Sequence, residues 1–367
     1  MKQILLVIII SINSIMLSAK TSMDIRGVVY DMGLRYGEGV YSVDTYDEEA
    51  VKYDLNVISN ILRCNTVRIE GEDIDRLVKA TRLANAEGLK VFFNPWLMGA
   101  GVDETVAYMA KGAKAAEMLR KEGIDVVFVA GCEYSLFSKG VFPGEEMNDR
   151  LAWLGSLATN GGFEELVSRN KELNKVLGKI CKAVRKEFKG KVTYASGTWE
   201  YVDWDMFDIV GVDYYRRGET DEEYLAGLDR YRVGKPIVVM EMGCCAYKGA
   251  AKRGGEAFAI LQGVDENGNG IYEGGVTPVR SEKEQADYVE TQLRLLDQGG
   301  ADGAFVFVFK FPVMPYSEEG VDRDMTSYSL VKSYPAGDSH NEKIPAWTPK
   351  EVFYTVGEEY LKLENRK

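Results

Sequence analysis

Two glutamates stand at positions where chemistry is expected. Asp125-Val-Val-Phe-Val-Ala-Gly-Cys-Glu133 and Pro236-Ile-Val-Val-Met-Glu241 are apolar, β-branched runs that each close on an acid. Runs of this kind read as buried parallel strands. A carboxylate at the exit of such a strand costs desolvation energy unless it faces a solvated mouth or is held by donors. Two carboxyls brought face to face can divide the work of glycosidic cleavage, one giving a proton and the other acting as nucleophile or base. They are far apart in the chain, so a scaffold has to bring them together.

The surrounding pattern supplies one. Strands are expected at Arg26–Asp31, Thr66–Glu70, Lys90–Trp96, at the run ending in Glu133, at Val192–Trp199, Asp208–Tyr215, the run ending in Glu241, and Ala304–Phe309. Helical apolar spacing lies between them at 47–62, 73–87, 103–122, 163–188, 222–231 and 282–298, with a last helix at 349–363. Gly88 and Gly123 stop two of these helices. The segments 134–162 and 245–278 read as long loops, a length more often functional than accidental. Eight strands alternating with helices predict an α/β fold, a (β/α)8 TIM barrel. An open doubly wound sheet would carry a phosphate-binding glycine fingerprint after its first strand, and Gly33-Leu-Arg-Tyr-Gly-Glu-Gly39 does not match one.

Composition narrows the partners. The chain has 367 residues, 46% apolar and 28% charged, with neither an internal repeat nor a dividing linker, so residues 20–367 read as a single barrel domain. A net charge of −12 without a dense basic patch argues against nucleic acid. The N-terminus, with Leu5-Leu-Val-Ile-Ile-Ile10 and a small residue at Ala19, reads as a secretory signal over 1–19. That implies a secreted protein with no membrane association after cleavage; an uncleaved N-terminal anchor is the alternative. Five cysteines without framework spacing suggest neither disulfide stapling nor a zinc site, and the lone His340 leaves no material for histidine catalysis. No metal or cofactor is required by this reading. Asp265, Asn267 and Asn269 resemble the start of a structural calcium loop, but Val276 stands where the closing Glu belongs, and Asn-Gly pairs also make hairpin turns.

In a (β/α)8 barrel the active site forms at the carboxyl ends of the strands. Here those ends carry Asp31, Arg68 with Glu70, Asn94 with Trp96, Glu133, Trp199 with Glu200, Asp213 with Tyr214 and Tyr215, Glu241, and Lys310. Acids among aromatic walls suit sugars, whose apolar ring faces pack on aromatic rings. The expected partner is an oligo- or polysaccharide. Trp96 and Trp199 are candidate sugar platforms, and Asp31 a candidate for bonding a sugar hydroxyl.

Glu133 closing strand four and Glu241 closing strand seven resemble the clan of retaining (β/α)8 glycoside hydrolases that includes β-mannanases, endoglucanases and β-galactosidases. Thr66-Val-Arg68-Ile, Gly211-Val-Asp-Tyr-Tyr215 and Lys235-Pro-Ile-Val-Val-Met-Glu241-Met-Gly add to the likeness. The resemblance implies a double displacement on a β-linked glycan, with Glu133 as general acid/base and Glu241 as nucleophile, and it selects Tyr215 over Tyr214. Glu241 must then stay ionised, with Arg68 and the Tyr215 hydroxyl as its expected partners. The runs Val127-Phe-Val-Ala-Gly-Cys-Glu133-Tyr-Ser-Leu-Phe137, Glu241-Met-Gly-Cys-Cys-Ala-Tyr-Lys-Gly and Gly303-Ala-Phe-Val-Phe resemble bacterial sequences labelled abortive infection proteins. Two positions depart from the clan: Cys132 stands where Asn usually precedes the strand-four acid, and Phe309, Lys310 and Phe311 stand near its usual strand-eight Trp. These departures motivate an alternative, a catalytically inactive barrel that binds carbohydrate or serves phage defence.

Overall fold

The computed structural model describes residues 23–37, 40–318 and 321–366. The proposed signal sequence lies outside the described residues. Eight parallel strands form the barrel: β1 Ile25–Asp31, β2 Thr66–Gly71, β3 Lys90–Pro95, β4 Val126–Cys132, β5 Val192–Ala195, β6 Val210–Asp213, β7 Ile237–Met242 and β8 Gly303–Val306. They pair in the order β5-β4-β3-β2-β1-β8-β7-β6. The ring closes between β5 and β6 through a parallel bridge from Ser196 to Val212, where Ser196 N donates to Gly211 O at 3.1 Å.

The surrounding helices are α1 Glu48–Asn60, α2 Ile74–Ala86, α3 Val102–Lys121, α4 Met147–Asn160, α5 Phe163–Glu187, α6 Asp221–Gly227, α7 Glu282–Gln298 and α8 Glu351–Glu364. Their starts follow from the sequence. Asp47 and Asp73 accept the first free N–H groups of α1 and α2, Ser281 does so for α7, and Thr220 with Glu223 forms a reciprocal capping box on α6. Each such cap is worth about 1 kcal/mol. Gly88 and Gly123 sit just past their helices at φ 77° and 91°, left-handed positions that a side chain would strain.

Several elements differ from the sequence-based expectation. The segment 134–162 is not an open loop: it holds a helical turn, Tyr134–Phe137, and all of α4. Its anchor is Arg150, a buried guanidinium that donates to Leu136 O, Gly144 O and Glu145 O at 2.6, 3.0 and 3.0 Å. Strands five, six and eight are shorter than their apolar runs, and the helix expected at 222–231 becomes a 3-10 turn from Leu228. The segment 245–278 carries 3-10 turns and a hairpin of Leu261–Val264 with Gly270–Tyr272.

Strand alternation divides the core in two. Val28, Tyr30, Val67, Ile69, Val91, Phe93, Val210 and Val212 pack outward against the helices. Val29, Phe92, Val129, Ala195, Val238, Met240 and Phe305 fill the barrel interior. Inward residues at the carboxyl ends of the strands then form the floor of the candidate site.

Candidate active site

Alternation alone places Asp31, Arg68, Glu70, Asn94 and Asp213 inward, because each lies two or four residues from an interior position or one from an outward residue. It would place Glu241 outward with Val239. The register prevents this: Val212 pairs Val239 but Asp213 pairs Glu241, and on the other side Ala304 pairs Val239 but Val306 pairs Met242. The extra residue is a bulge in β7, which turns Glu241 into the barrel and Met242 out to the helices. A second register shift, between Val129 and Cys132, coincides with Gly131 at φ 127° and brings Cys132 inward.

Glu241 is 8% exposed and held at both oxygens. Arg68 Nη1 donates to Oε1 at 3.1 Å, and the Tyr215 hydroxyl donates to Oε2 at 3.0 Å. Arg68 is itself fully buried, fixed by Nε to Asn94 Oδ1 at 3.0 Å and by Nη1 to Met240 O at 3.0 Å, with Glu70 Oε2 3.0 Å from Nη2. The Cys132 thiol lies 3.5 Å from both Glu241 Oε1 and Asp213 Oδ2 and donates into that pair. Burial, then the Asp213 and Glu241 charges, keep it protonated by pushing its pKa well up.

Glu133 follows β4 in a left-handed conformation, φ 39°, ψ 47°. A non-glycine residue pays of order 1–3 kcal/mol to sit there, so its surroundings must hold it. They do so from β5. Glu133 N donates to Ala195 O at 2.8 Å. Glu200 Oε1 accepts from Ser135 N and Oγ at 3.0 and 2.6 Å, and the Tyr194 hydroxyl donates to Glu200 Oε2 while accepting from Tyr134 N. Glu200 and Tyr194 therefore staple the turn that follows Glu133. Burial, followed by the charges of Glu241 and Glu200, pushes the Glu133 carboxyl well above the usual range.

Carboxyls outnumber cations here. Asp31, Glu70 and Asp213 are buried beside Glu241, with Arg68 as the guanidinium among them. Burial pushes Glu70 and Asp213 well up despite Arg68; it pushes Asp31 to about 6 and Glu200 to about 7. Each of these acids keeps its proton in the fold at a pH where the unfolded chain has released it. Stability contributed by them is therefore lost as pH rises from about 4, the unfolded value, through about 7. The opposite sign applies to Glu282: against the cost of its own burial, Lys332 and Arg280 hold it down to about 2. Its contribution is lost as pH falls below about 4.5. The midpoint of thermal unfolding is expected to peak near pH 4.5–5 and to fall by several degrees by pH 7.5. A scan that rises steadily from pH 5 to 8 would refute this.

The other candidate residues take varied positions. Asp31 is buried, with Oδ1 accepting from Gly33 N at 2.7 Å. Trp96 is 5% exposed and meets Phe137 edge-on at 5.0 Å, so its ring is wedged into the interior cluster rather than laid open. Trp199 is half-buried, its indole N–H on Ser135 Oγ at 3.1 Å. Tyr214 turns away to stack on Tyr224, as alternation requires when Tyr215 faces inward. Lys310 leaves the rim to pair with Asp54 at 2.6 Å. At 265–269 the Asn-Gly turn closes the hairpin, and Asp265 accepts from Asn267 N, Asn269 N and Asn269 Nδ2.

Sequence reasoning left out Tyr36, which meets Phe311, near the end of strand eight, edge to face at 5.8 Å. Tyr36 is 37% exposed, and desolvation followed by the charges of Asp31, Glu70 and Glu241 pushes its hydroxyl pKa well up. Tyr215, Tyr328 and Phe307 form another aromatic wall. The three-residue strand bearing Tyr36 offers no periodic signal.

No family model and no curated protein sequence matches this chain. Solved structures do. The GH113 β-mannanase of Alicyclobacillus acidocaldarius in complex with ManMIm is 16% identical, covering 93% of this chain and 98% of its own, with a TM-score of 0.56. The chain shares its fold. β-Glucuronidase 2 of Bacteroides uniformis matches at 14% identity and TM-score 0.54 over 92% of this chain and 35% of its own. A glycoside hydrolase family 5 enzyme of Prevotella bryantii matches at 12% and 0.51 over 92% and 96%. The neighbours of this (β/α)8 barrel are thus glycoside hydrolases.

Proposed function

We propose that this chain is a retaining glycoside hydrolase of β-linked glycans. The observation that carries the reading is the opposite treatment of two acids. Glu241 is fixed at both oxygens by donors, Arg68 and Tyr215, as a carboxylate nucleophile needs. Glu133 is driven toward its protonated form by burial and by the Glu241 charge, as a general acid needs. In the first step Glu241 attacks the anomeric carbon while Glu133 gives its proton to the departing glycosidic oxygen. In the second, Glu133 takes a proton from water, which displaces Glu241 from the sugar with net retention. Tyr36 and Phe311 supply faces on which sugar rings can stack.

The likeness to a β-mannanase and a β-glucuronidase chooses the first substrates. The test is a panel of aryl β-glycosides, β-1,4-mannan and uronic acid glycosides, with the anomer of the first product followed by NMR. Retention supports the assignment, and inversion removes Glu241 as nucleophile. Saturable glycan binding with no cleavage of any substrate would favour the inactive barrel, a reading to which Cys132 gives weight. Export is part of the proposal and is checked by sequencing the N-terminus of the protein recovered outside the cell, expected at Lys20.

A further inference from the structure

Cys132, Asp213 and Glu241 end three different strands and gather in the barrel floor, with one ligand atom of each within 4.8 Å of the others. We propose that these three side chains form a binding site for a zinc-class divalent cation, and that the ion blocks the site by occupying Glu241.

Geometry makes the first part of the case. Zinc bonds of about 2.3 Å to sulfur and 2.0 Å to oxygen at a tetrahedral angle put sulfur and oxygen about 3.5 Å apart. Sγ of Cys132 lies 3.5 Å from Asp213 Oδ2 and 3.5 Å from Glu241 Oε1. The two sulfur–oxygen distances therefore suit an ion in place of the thiol proton, with the two carboxylate oxygens, within 4.8 Å of each other, closing on it. The thiol proton, and the one that Asp213 keeps in the metal-free fold, both leave to solvent as the metal bonds form.

An independent observation points the same way. Asp213 is 2% exposed, and its Oδ1, the oxygen beside the one that meets Cys132, is buried without a hydrogen-bond partner among the described residues; Arg68 Nη1 is 3.9 Å away. A buried carboxylate oxygen in this state gains from a cation. Charge also balances. Two positive charges on the ion and one on Arg68 neutralise the three ligand anions. Arg68 and Tyr215, which donate to the two oxygens of Glu241, would orient that ligand from the outer shell. A ligand set of one thiolate and two carboxylates selects zinc, cobalt or cadmium over magnesium and calcium, which prefer oxygen alone. With three protein ligands, a water would complete the tetrahedral shell.

Glu241 cannot attack a sugar while its oxygen holds the ion. The inhibition rests on the hydrolase reading, whereas the binding does not. The test is titration of the full chain with zinc chloride by calorimetry, and with cobalt chloride by absorption. One ion per chain and a thiolate-to-cobalt charge-transfer band are expected. Cys132→Ser should abolish the band and weaken zinc binding at least about 10-fold, Asp213→Asn should weaken it similarly, and Cys181→Ser, at a buried cysteine of α5, should change neither. Should the first two variants fail to fold, X-ray absorption on the zinc-loaded wild type decides, with one sulfur at about 2.3 Å expected. No saturable binding, a band that survives Cys132→Ser, or a shell without sulfur overturns the site. Binding with this signature but without any glycosidase activity keeps the site and removes the hydrolase reading. Activity indifferent to saturating zinc keeps the site but ends the claim of blockade.

Discussion

Arg68→Met is expected to destabilise the fold by about 3–5 kcal/mol at pH 7, the cost of removing one partner from a buried ion pair, and by much less near pH 5. Arg68 is the buried cation facing Glu70, Asp213 and Glu241, and it also ties β2 to β7 through Met240 O. Methionine fills much of the space but offers no charge and no donors. Glu70 and Asp213 already keep their protons in the fold, so the acid left buried without its cation is Glu241, which must stay unpaired or be neutralised at a cost that grows with pH. Near pH 5 that cost is small and the loss shrinks toward that of the missing hydrogen bonds, about 1 kcal/mol apiece. Urea unfolding of wild type and variant at both pH values measures the difference. A penalty that is small at both, or equal at both, would mean that Arg68 is not the electrostatic keystone of this floor.

The barrel was legible because its signals are local and strong. Fully apolar runs such as Val126–Ala130 and Ile237–Met240 can only be strands covered on both sides, and Asp47, Asp73 and Gly88 mark helix ends by their own hydrogen bonding and backbone freedom. The two glutamates were legible as strand-end acids. What placed Glu241 inside was not, since a two-residue period puts it on the face of Val239 and only the β7 bulge reverses that. A bulge is set by pairing with both neighbouring strands, which no single stretch of sequence displays. For the same reason nothing near Cys132 in the sequence shows that it meets Asp213 and Glu241, which lie across long gaps in the chain. A large ring at an inward position can as readily plug the barrel as line it, and Trp96 is wedged against Phe137. The 134–162 segment concealed a helix because Pro143-Gly144 interrupts the chain before it, and its anchor, Arg150, bonds to backbone carbonyls that leave no trace in composition.

On the proposed double displacement, Glu133→Gln and Glu241→Gln should both abolish glycoside cleavage, but differently. Without a nucleophile, Glu241→Gln has no route to the covalent intermediate, and turnover should fall to background on every substrate that the wild type cleaves. Glu133→Gln keeps the nucleophile and its Arg68 and Tyr215 partners, and loses proton transfer, worth roughly 10²–10⁴ in rate. That loss should depend on the leaving group. A glycan, whose departing alcohol needs a proton, should suffer the full effect, whereas a nitrophenyl glycoside, which leaves unaided, should still form the intermediate and show a burst of released nitrophenol. The pH profile separates the roles again. The wild-type rate should fall on the alkaline side as Glu133 releases its proton, a limb delayed by the burial and the Glu241 charge that push its carboxyl up. Glu133→Gln, which carries no such proton, should lose that limb while retaining the acid one. Equal losses on both substrate types, or an alkaline limb that persists in Glu133→Gln, would take the proton-transfer role away from Glu133.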